Sequence, residues 1–177
     1  NCHAPDVPNM EILQMFGTKA QKAAYLVPLL EGEIQSSFAM TEPSVGSSDA
    51  TNIATRIERD GDDYVINGHK WFATGAGSSR CRFLIVVGVT GPDAPRGRQH
   101  SMVIVPIDTP GVRIVRNLEV LHHVDTVTPH TELRLEDVRV PASNVLGQEG
   151  DGFVIGQARL GPARVHHCMR AIGRGEV

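Results

Sequence analysis

Two short stretches concentrate the side chains able to hold a ligand. Phe38 to Asp49, FAMTEPSVGSSD, runs from an apolar start (Phe38, Ala39, Met40) through a hydroxyl-bearing turn (Thr41, Glu42, Pro43) into a loop of small residues, Ser44 to Ser48. Lys70 to Thr74, KWFAT, echoes it with aromatic rings, a small residue and a threonine. Small residues let a ligand approach the main chain, hydroxyls and exposed N–H groups hold polar or anionic parts, and Pro43 presets the turn. The pair reads as the edge of a cofactor pocket formed where strands end. The competing reading is an ordinary strand-to-turn junction, because Ser, Gly and Pro fill many surface turns that bind nothing.

Other chemistry finds less support. His122-His123 with His130, and His166-His167, are candidate metal ligands. Adjacent histidines project apart on a strand or helix, and no HxH or HxxxH spacing accompanies them, so no metal site is expected. Gly75-Ala76-Gly77 and Gly150-Asp151-Gly152 imitate pieces of a dinucleotide fingerprint without the strand, helix and βαβ unit it requires. Ser47, Ser48, Ser78 and Ser79 lack a GxSxG setting. Glu42 and Asp49 are the carboxylates near the proposed pocket, and Glu42 reads as a structural acid of its turn.

Around these stretches the chain has 177 residues, 41% apolar and 21% charged, enough for one substantial core. A net charge of −3 gives no general attraction to nucleic acid. Three widely spaced cysteines, Cys2, Cys81 and Cys168, argue against a disulfide scaffold and for a reducing compartment. The longest purely apolar run, Phe83 to Val87, is far short of the ~20 residues of a membrane span. The opening NCHAPDVPN lacks the pattern of a signal peptide and reads as a cut inside a longer polypeptide.

The elements that must position the pocket follow from periodicity. Residues 9–30 read as a helical hairpin: Ile12, Met15 and Phe16 recur at helical spacing, Gly17 interrupts, Thr18 and Gln21 form a capping box, and Pro28 ends or kinks the second helix. Ile53, Thr55 and Ile57 then alternate, Asp60-Gly61-Asp62 turns, and Tyr64 to Ile66 leads through Asn67-Gly68 into KWFAT. Further extended runs at 82–89, 102–107 and 112–115, with alternating Leu133, Leu135, Val138 and Val140, bring the count to seven or eight strands without intervening helices, a mainly antiparallel barrel or sandwich. A flexible joint at 147–152 precedes a helix from Phe153 to Ile172, perturbed at Gly161-Pro162. Helices at both ends lack enough chain to bury their apolar faces, as expected of a fragment.

Read in order, Thr41-Glu42-Pro43, Gly46-Ser47, Asn67-Gly68-His69-Lys70-Trp71-Phe72-Ala73-Thr74, Thr109-Pro110-Gly111-Val112, Leu135 to Pro141 and Leu146-Gly147 to Gly152-Phe153 resemble the flavin-dependent acyl-CoA dehydrogenase family. The wording around Ser47 to Asn52, Gly75 to Gly77 and Arg159 to Arg170 is most similar to the subgroup that some eukaryotes carry fused to phosphotransferase-like domains. The resemblance implies an α+β fragment: residues 1–33 ending a helical N-terminal domain, 34–146 a middle β-domain, and 147–177 starting a helical C-terminal domain. It implies FAD as cofactor, an acyl-CoA substrate, an acceptor such as an electron-transfer flavoprotein, and a homodimer or homotetramer as the intact enzyme.

By the same resemblance Phe38, Met40, Thr41, Gly46, Ser47, Phe72, Ala73 and Thr74 line the cofactor. Thr41 with the main chain of Met40 would meet the pyrimidine edge of the isoalloxazine, Ser47 and the amides beside Gly46 the phosphates, and Thr74 the flavin N5. Phe72 takes the place of the family's usual Trp, which leaves Trp71 on the opposite strand face as a core residue. Ser47 and Arg164 fall on the substrate side. No catalytic base is expected in the chain, because Ala163 stands where some members place a glutamate and the other family location lies beyond Val177. The alternatives are an acyl-CoA oxidase or other flavin oxidase of the same architecture, or a non-catalytic β-barrel that binds a ligand or protein.

Overall fold

The computed structural model describes residues 4–176, so Cys2 lies outside the described residues; Cys81 is buried and Cys168 exposed, both as free thiols. Helix α1 (Asp6–Phe16) ends at Gly17, and Thr18 starts the next helix with the expected capping box. The Gln21 N–H donates to Thr18 Oγ1 at 3.2 Å while the Thr18 N–H donates to Gln21 Oε1 at 3.0 Å, satisfying two amides that a helix start leaves free. The helix does not stop at Pro28. After α2 (Lys19–Gln21) it widens into a π-helical turn, Lys22–Leu26, and resumes as α3 (Val27–Leu30). In this turn the Val27 N–H bonds Lys22 O, five residues back, so Pro28 enters where its missing N–H and its ring do less harm than in an unbroken α-helix.

Seven strands follow: β1 (Gln35–Ala39), β2 (Arg56–Asp60), β3 (Asp63–Thr74), β4 (Cys81–Val89), β5 (His100–Pro106), β6 (Val112–Leu118) and β7 (His130–Pro141). They form one mixed sheet in the order β1-β4-β2-β3-β7-β6, with β5 also on β4. Most pairings are antiparallel, but β1 and the first residue of β2, Arg56, pair parallel with β4. The β2–β3 hairpin turns at Gly61-Asp62 as the Asp-Gly-Asp signal implies, and β3 runs through Asn67-Gly68 without a break.

The sheet curves into a half-barrel because both faces have something to bury. Leu84 and Val86 of β4 point inward with Ile57, Tyr64, Ile66, Leu133, Leu135, Val138 and Val140. Phe83, Ile85 and Val87 point outward and pack with Ile12, Leu13, Leu26, Leu29 and Ile155. A strand buried on both faces reads as an unbroken apolar run, which is what Phe83–Val87 is.

Helix α4 (Gly152–Gly175) continues through Pro162. Its inward positions Gly152, Ile155, Gly156 and Arg159 follow i, i+3, i+4, i+7 spacing. The joint before it is pinned rather than loose. Gly147 and Gly150 supply positive φ, the Gly150 N–H donates to Ser101 Oγ at 2.8 Å, and Arg98 pairs with Asp151.

Candidate cofactor site

Two bulges in β3 and β7 build the site. Between Lys70 and Ala73, β3 carries one more residue than β7 opposite it, and Phe72 takes φ +50°, a conformation that favours glycine. A compensating shift lies between Ile66 and Gly68, where β7 has the extra residue and Asp137 has φ +51°. The first bulge turns the main chain of Trp71 away from β7. Thr41 captures both freed groups: the Trp71 N–H donates to Thr41 O at 3.0 Å and Thr41 Oγ1 donates to Trp71 O at 2.6 Å. This is how the two sequence stretches, 30 residues apart, become one lip.

The bulge also corrects the expected placement of Trp71. Strict alternation sends Trp71 and Phe72 to opposite faces with Trp71 in the core; instead Trp71 is half-buried outside both cores, and its ring meets Phe72 edge-on with centroids 5.1 Å apart. An extra residue in the strand resets the period of two on which the expectation rested.

Phe38, Met40, Thr41, Phe72 and Thr74 line one groove of about 320 Å³, closed on the other side by α4 through Arg159, Leu160 and Ala163. That volume lies within the ~300–1,000 Å³ typical of small-molecule sites. Phe72 presents its ring there at 43% exposure. Thr74 Oγ1 lies 2.9 Å from His130 Nδ1, so its proton is free for a ligand only when the His130 nitrogen carries one of its own. Thr41 has already given its proton to Trp71 O and can only accept, which suits a ring N–H.

The remaining candidates fall elsewhere. Ala73 is buried in the sheet core. Gly46 and Ser47 lie off the groove in the following turn, where Ser47 Oγ accepts from the Glu42 N–H at 2.8 Å and donates to Glu42 O at 3.1 Å. The Ser47 N–H also bonds Val45 O, so Ser47 has no donor left for a phosphate in this conformation. Arg164 is exposed and donates to Gln157 Oε1 at 3.3 Å. Among the described residues no three His, Cys, Asp or Glu side chains gather as a metal cluster, and no helix is long and apolar enough to cross a membrane.

Beneath the lip lies a pair that sequence reading missed. Lys70 is fully buried, and its ammonium donates to Glu42 Oε1 at 2.8 Å, Met40 O at 2.9 Å and Val87 O at 2.7 Å. Glu42 also accepts from the Ala54 N–H (2.8 Å), the Thr55 N–H (2.8 Å) and Thr55 Oγ1 (2.6 Å). Gly68 is required here, since a Cβ would sit 2.2 Å from Thr55 Oγ1. Glu42 is thus the structural acid its turn implied. A signal for Lys70 existed: it shares the inward phase of Tyr64, Ile66 and Gly68 along β3.

Burial pushes the Glu42 carboxyl up, but the Lys70 charge and the donors around it outweigh burial and hold it below 4.5. Burial draws Lys70 down to about 8 against the opposing pull of Glu42. Three acceptors converging on one nitrogen fit an ammonium, so both groups are ionised at neutral pH. A carboxyl that binds protons less readily folded than unfolded contributes stability above its unfolded pKa and loses it as pH falls through the depressed folded value. Unfolding free energies of the wild type and of Glu42→Gln therefore differ most near neutral pH and converge as pH falls through the depressed folded pKa of Glu42. A gap that is constant with pH contradicts this account.

A half-barrel with helices on its outer face and a groove at two strand ends is a middle β-domain of the acyl-CoA dehydrogenase type. The chain belongs to the acyl-CoA dehydrogenase family: the family model for the acyl-CoA dehydrogenase middle domain matches residues 37–138. It is 61% identical over 176 residues to the probable acyl-CoA dehydrogenase FadE2 of Mycobacterium tuberculosis, covering 99% of this chain and 43% of that protein. Acyl-CoA dehydrogenase family member 11 of Gallus gallus is 56% identical over 99% of this chain and 23% of its own length. A putative acyl-CoA dehydrogenase from Mycobacterium abscessus superposes with a TM-score of 0.95 at 49% identity, over 99% of this chain and 43% of that one. The chain thus spans less than half the length of these relatives.

Proposed function

We propose that the full-length protein carrying this chain is an FAD-dependent acyl-CoA dehydrogenase that removes hydrogen across the α,β-bond of an acyl thioester, with the isoalloxazine in the groove between the lip and α4. The observation that carries this reading is the convergence of Phe38, Met40, Thr41, Phe72 and Thr74, from separate strands, on one groove with an exposed aromatic ring on a strained backbone. Strain of that kind persists where function demands it.

FAD, when bound, supplies the acceptor for the hydride. The residues of this chain hold and orient. Phe72 would offer the ring a stacking face, Thr41 would accept from its edge, Thr74 would be the hydroxyl for N5 under the control of His130, and Lys70 fixes the Met40 carbonyl that shapes the lip. None of the groove-lining residues is acidic, Ala163 has only a methyl group to offer, and Glu42 is enclosed by its donors. The base that takes the α-proton is accordingly assigned to a carboxylate beyond Val177. Residues 1–33 and 147–177 belong, on this reading, to flanking helical domains. An electron-transfer flavoprotein serves as acceptor and the intact enzyme is a homodimer or homotetramer; the 177-residue chain alone retains flavin weakly and does not turn over.

The test is to purify the full-length protein and add acyl-CoA without oxygen. Bound flavin whose visible absorbance bleaches is the expected result. Absence of flavin from the purified protein overturns the reading, and rapid peroxide release in air reassigns it to an oxidase.

A further inference from the structure

We propose that Arg159 makes this site selective for acyl chains that end in a carboxylate. The inference rests on the acyl-CoA reading above and adds to it the chemical class of the acyl group.

Arg159 occupies the i+7 position of the inward stripe of α4 and is only 8% exposed. Its guanidinium carbon lies 3.8 Å from the centre of the Phe38 ring, and its Nε donates to the neutral Asn9 Oδ1 at 2.9 Å. Asn9, itself buried, passes the connection on through Nδ2 to Ser36 Oγ at 2.9 Å. Ser36 in turn donates through N–H and Oγ to Asp6 Oδ1 at 2.7 and 2.6 Å. The nearest acid in this chain of bonds is therefore committed to another residue. Among the described residues Arg159 forms no ion pair, and of its five N–H donors only Nε has a partner. Burial draws its pKa down to about 10 against the opposing pull of Glu11, which acts through space without forming an ion pair, and this leaves it a cation at neutral pH.

Buried arginines are ordinarily paired, because a desolvated charge without a counter-ion is costly. Here the guanidinium lines the α4 side of the groove that also takes the isoalloxazine, beside the apolar Phe38, Met40, Leu160 and Ala163, with His167 as the other titratable group of the wall. An apolar channel with one planar, forked donor matches a methylene chain bearing a carboxylate, which takes two parallel N–H bonds from the Nη groups. A plain hydrocarbon chain would leave the Nη groups without an acceptor.

The experiment compares, in the full-length enzyme, kcat/KM for ω-carboxyacyl-CoA thioesters across a range of chain lengths with unsubstituted acyl-CoAs of matching length. We expect the best carboxylated member to exceed its unsubstituted counterpart at least tenfold, and Arg159→Lys and Arg159→Gln to reduce that ratio by ~10-fold or more, since a site built for a charged partner discriminates strongly. Circular dichroism and thermal unfolding report whether each variant keeps its fold, and the wild-type ratio decides the matter even if the variants do not. Reduction by unsubstituted thioesters with no preference for the carboxylated series, as would follow if another part of the protein supplied the counter-ion, overturns this inference alone. So does a ratio that folded variants leave unchanged. Reduction by neither series overturns the acyl-CoA reading and this inference with it.

Discussion

Lys70→Met in the full-length protein is expected to lower the free energy of unfolding by about 3–5 kcal/mol, the range for removing one member of a buried ion pair. Methionine matches the length of lysine and fills its space, so the effect is electrostatic. Glu42, with 3% of its side chain exposed, loses the charge that offset its burial, and the carbonyls of Met40 and Val87 lose their donor. Glu42→Gln is costly too, since its amide N–H₂ group must face donors from Ala54 or Thr55. The double variant should be more stable than the sum of the two losses by about 1–3 kcal/mol, as is usual for residues in contact. Guanidinium unfolding of the four proteins at neutral pH provides the comparison. Strictly additive losses, or a Lys70→Met loss under about 1 kcal/mol, would show that the pair does not hold the lip.

The second large effect separates stability from binding. Phe72→Asn replaces an aromatic residue strained at φ +50° by one that accepts that backbone readily. The ring is 43% exposed and touches chiefly Trp71, with His130 farther off at 6.0 Å between centroids. Relief of strain and loss of these contacts should nearly cancel, leaving stability within about 1 kcal/mol of the wild type. Flavin affinity, in contrast, should fall by about ten- to a hundredfold, because a stacking face and its buried apolar area disappear together. Flavin titration of the apoprotein alongside thermal unfolding measures both quantities. Undiminished affinity would mean that the ring does not stack on the cofactor.

The motifs made the family legible in advance, and periodicity did the same for the strands, because β-strand alternation and turn chemistry are local properties. Thr18 and Gln21 cap a helix, Gly61-Asp62 turns a hairpin and Phe83–Val87 forms a strand buried on both faces. The bulge was not legible. Residues 70–74 carry no glycine to announce it, and it is imposed by the pairing of β3 with β7, so the faces of Trp71 and Phe72 could not be counted from spacing. The same holds for Ser47, whose hydroxyl belongs to a phosphate by analogy but closes its own turn in the fold.

By itself, then, the sequence determined which segments are helix or strand and which family they form, since each of these follows from neighbours within a few residues or from ordered motifs. Tertiary structure alone decided that Thr41 captures the Trp71 backbone, that Lys70 and Glu42 meet in the interior, and that Arg159 reaches Asn9 across 150 positions of sequence. The physical reason is desolvation. A lysine, a glutamate or an arginine is unremarkable on a surface, and its meaning changes only when folding strips away water and leaves the surrounding side chains to answer its charge.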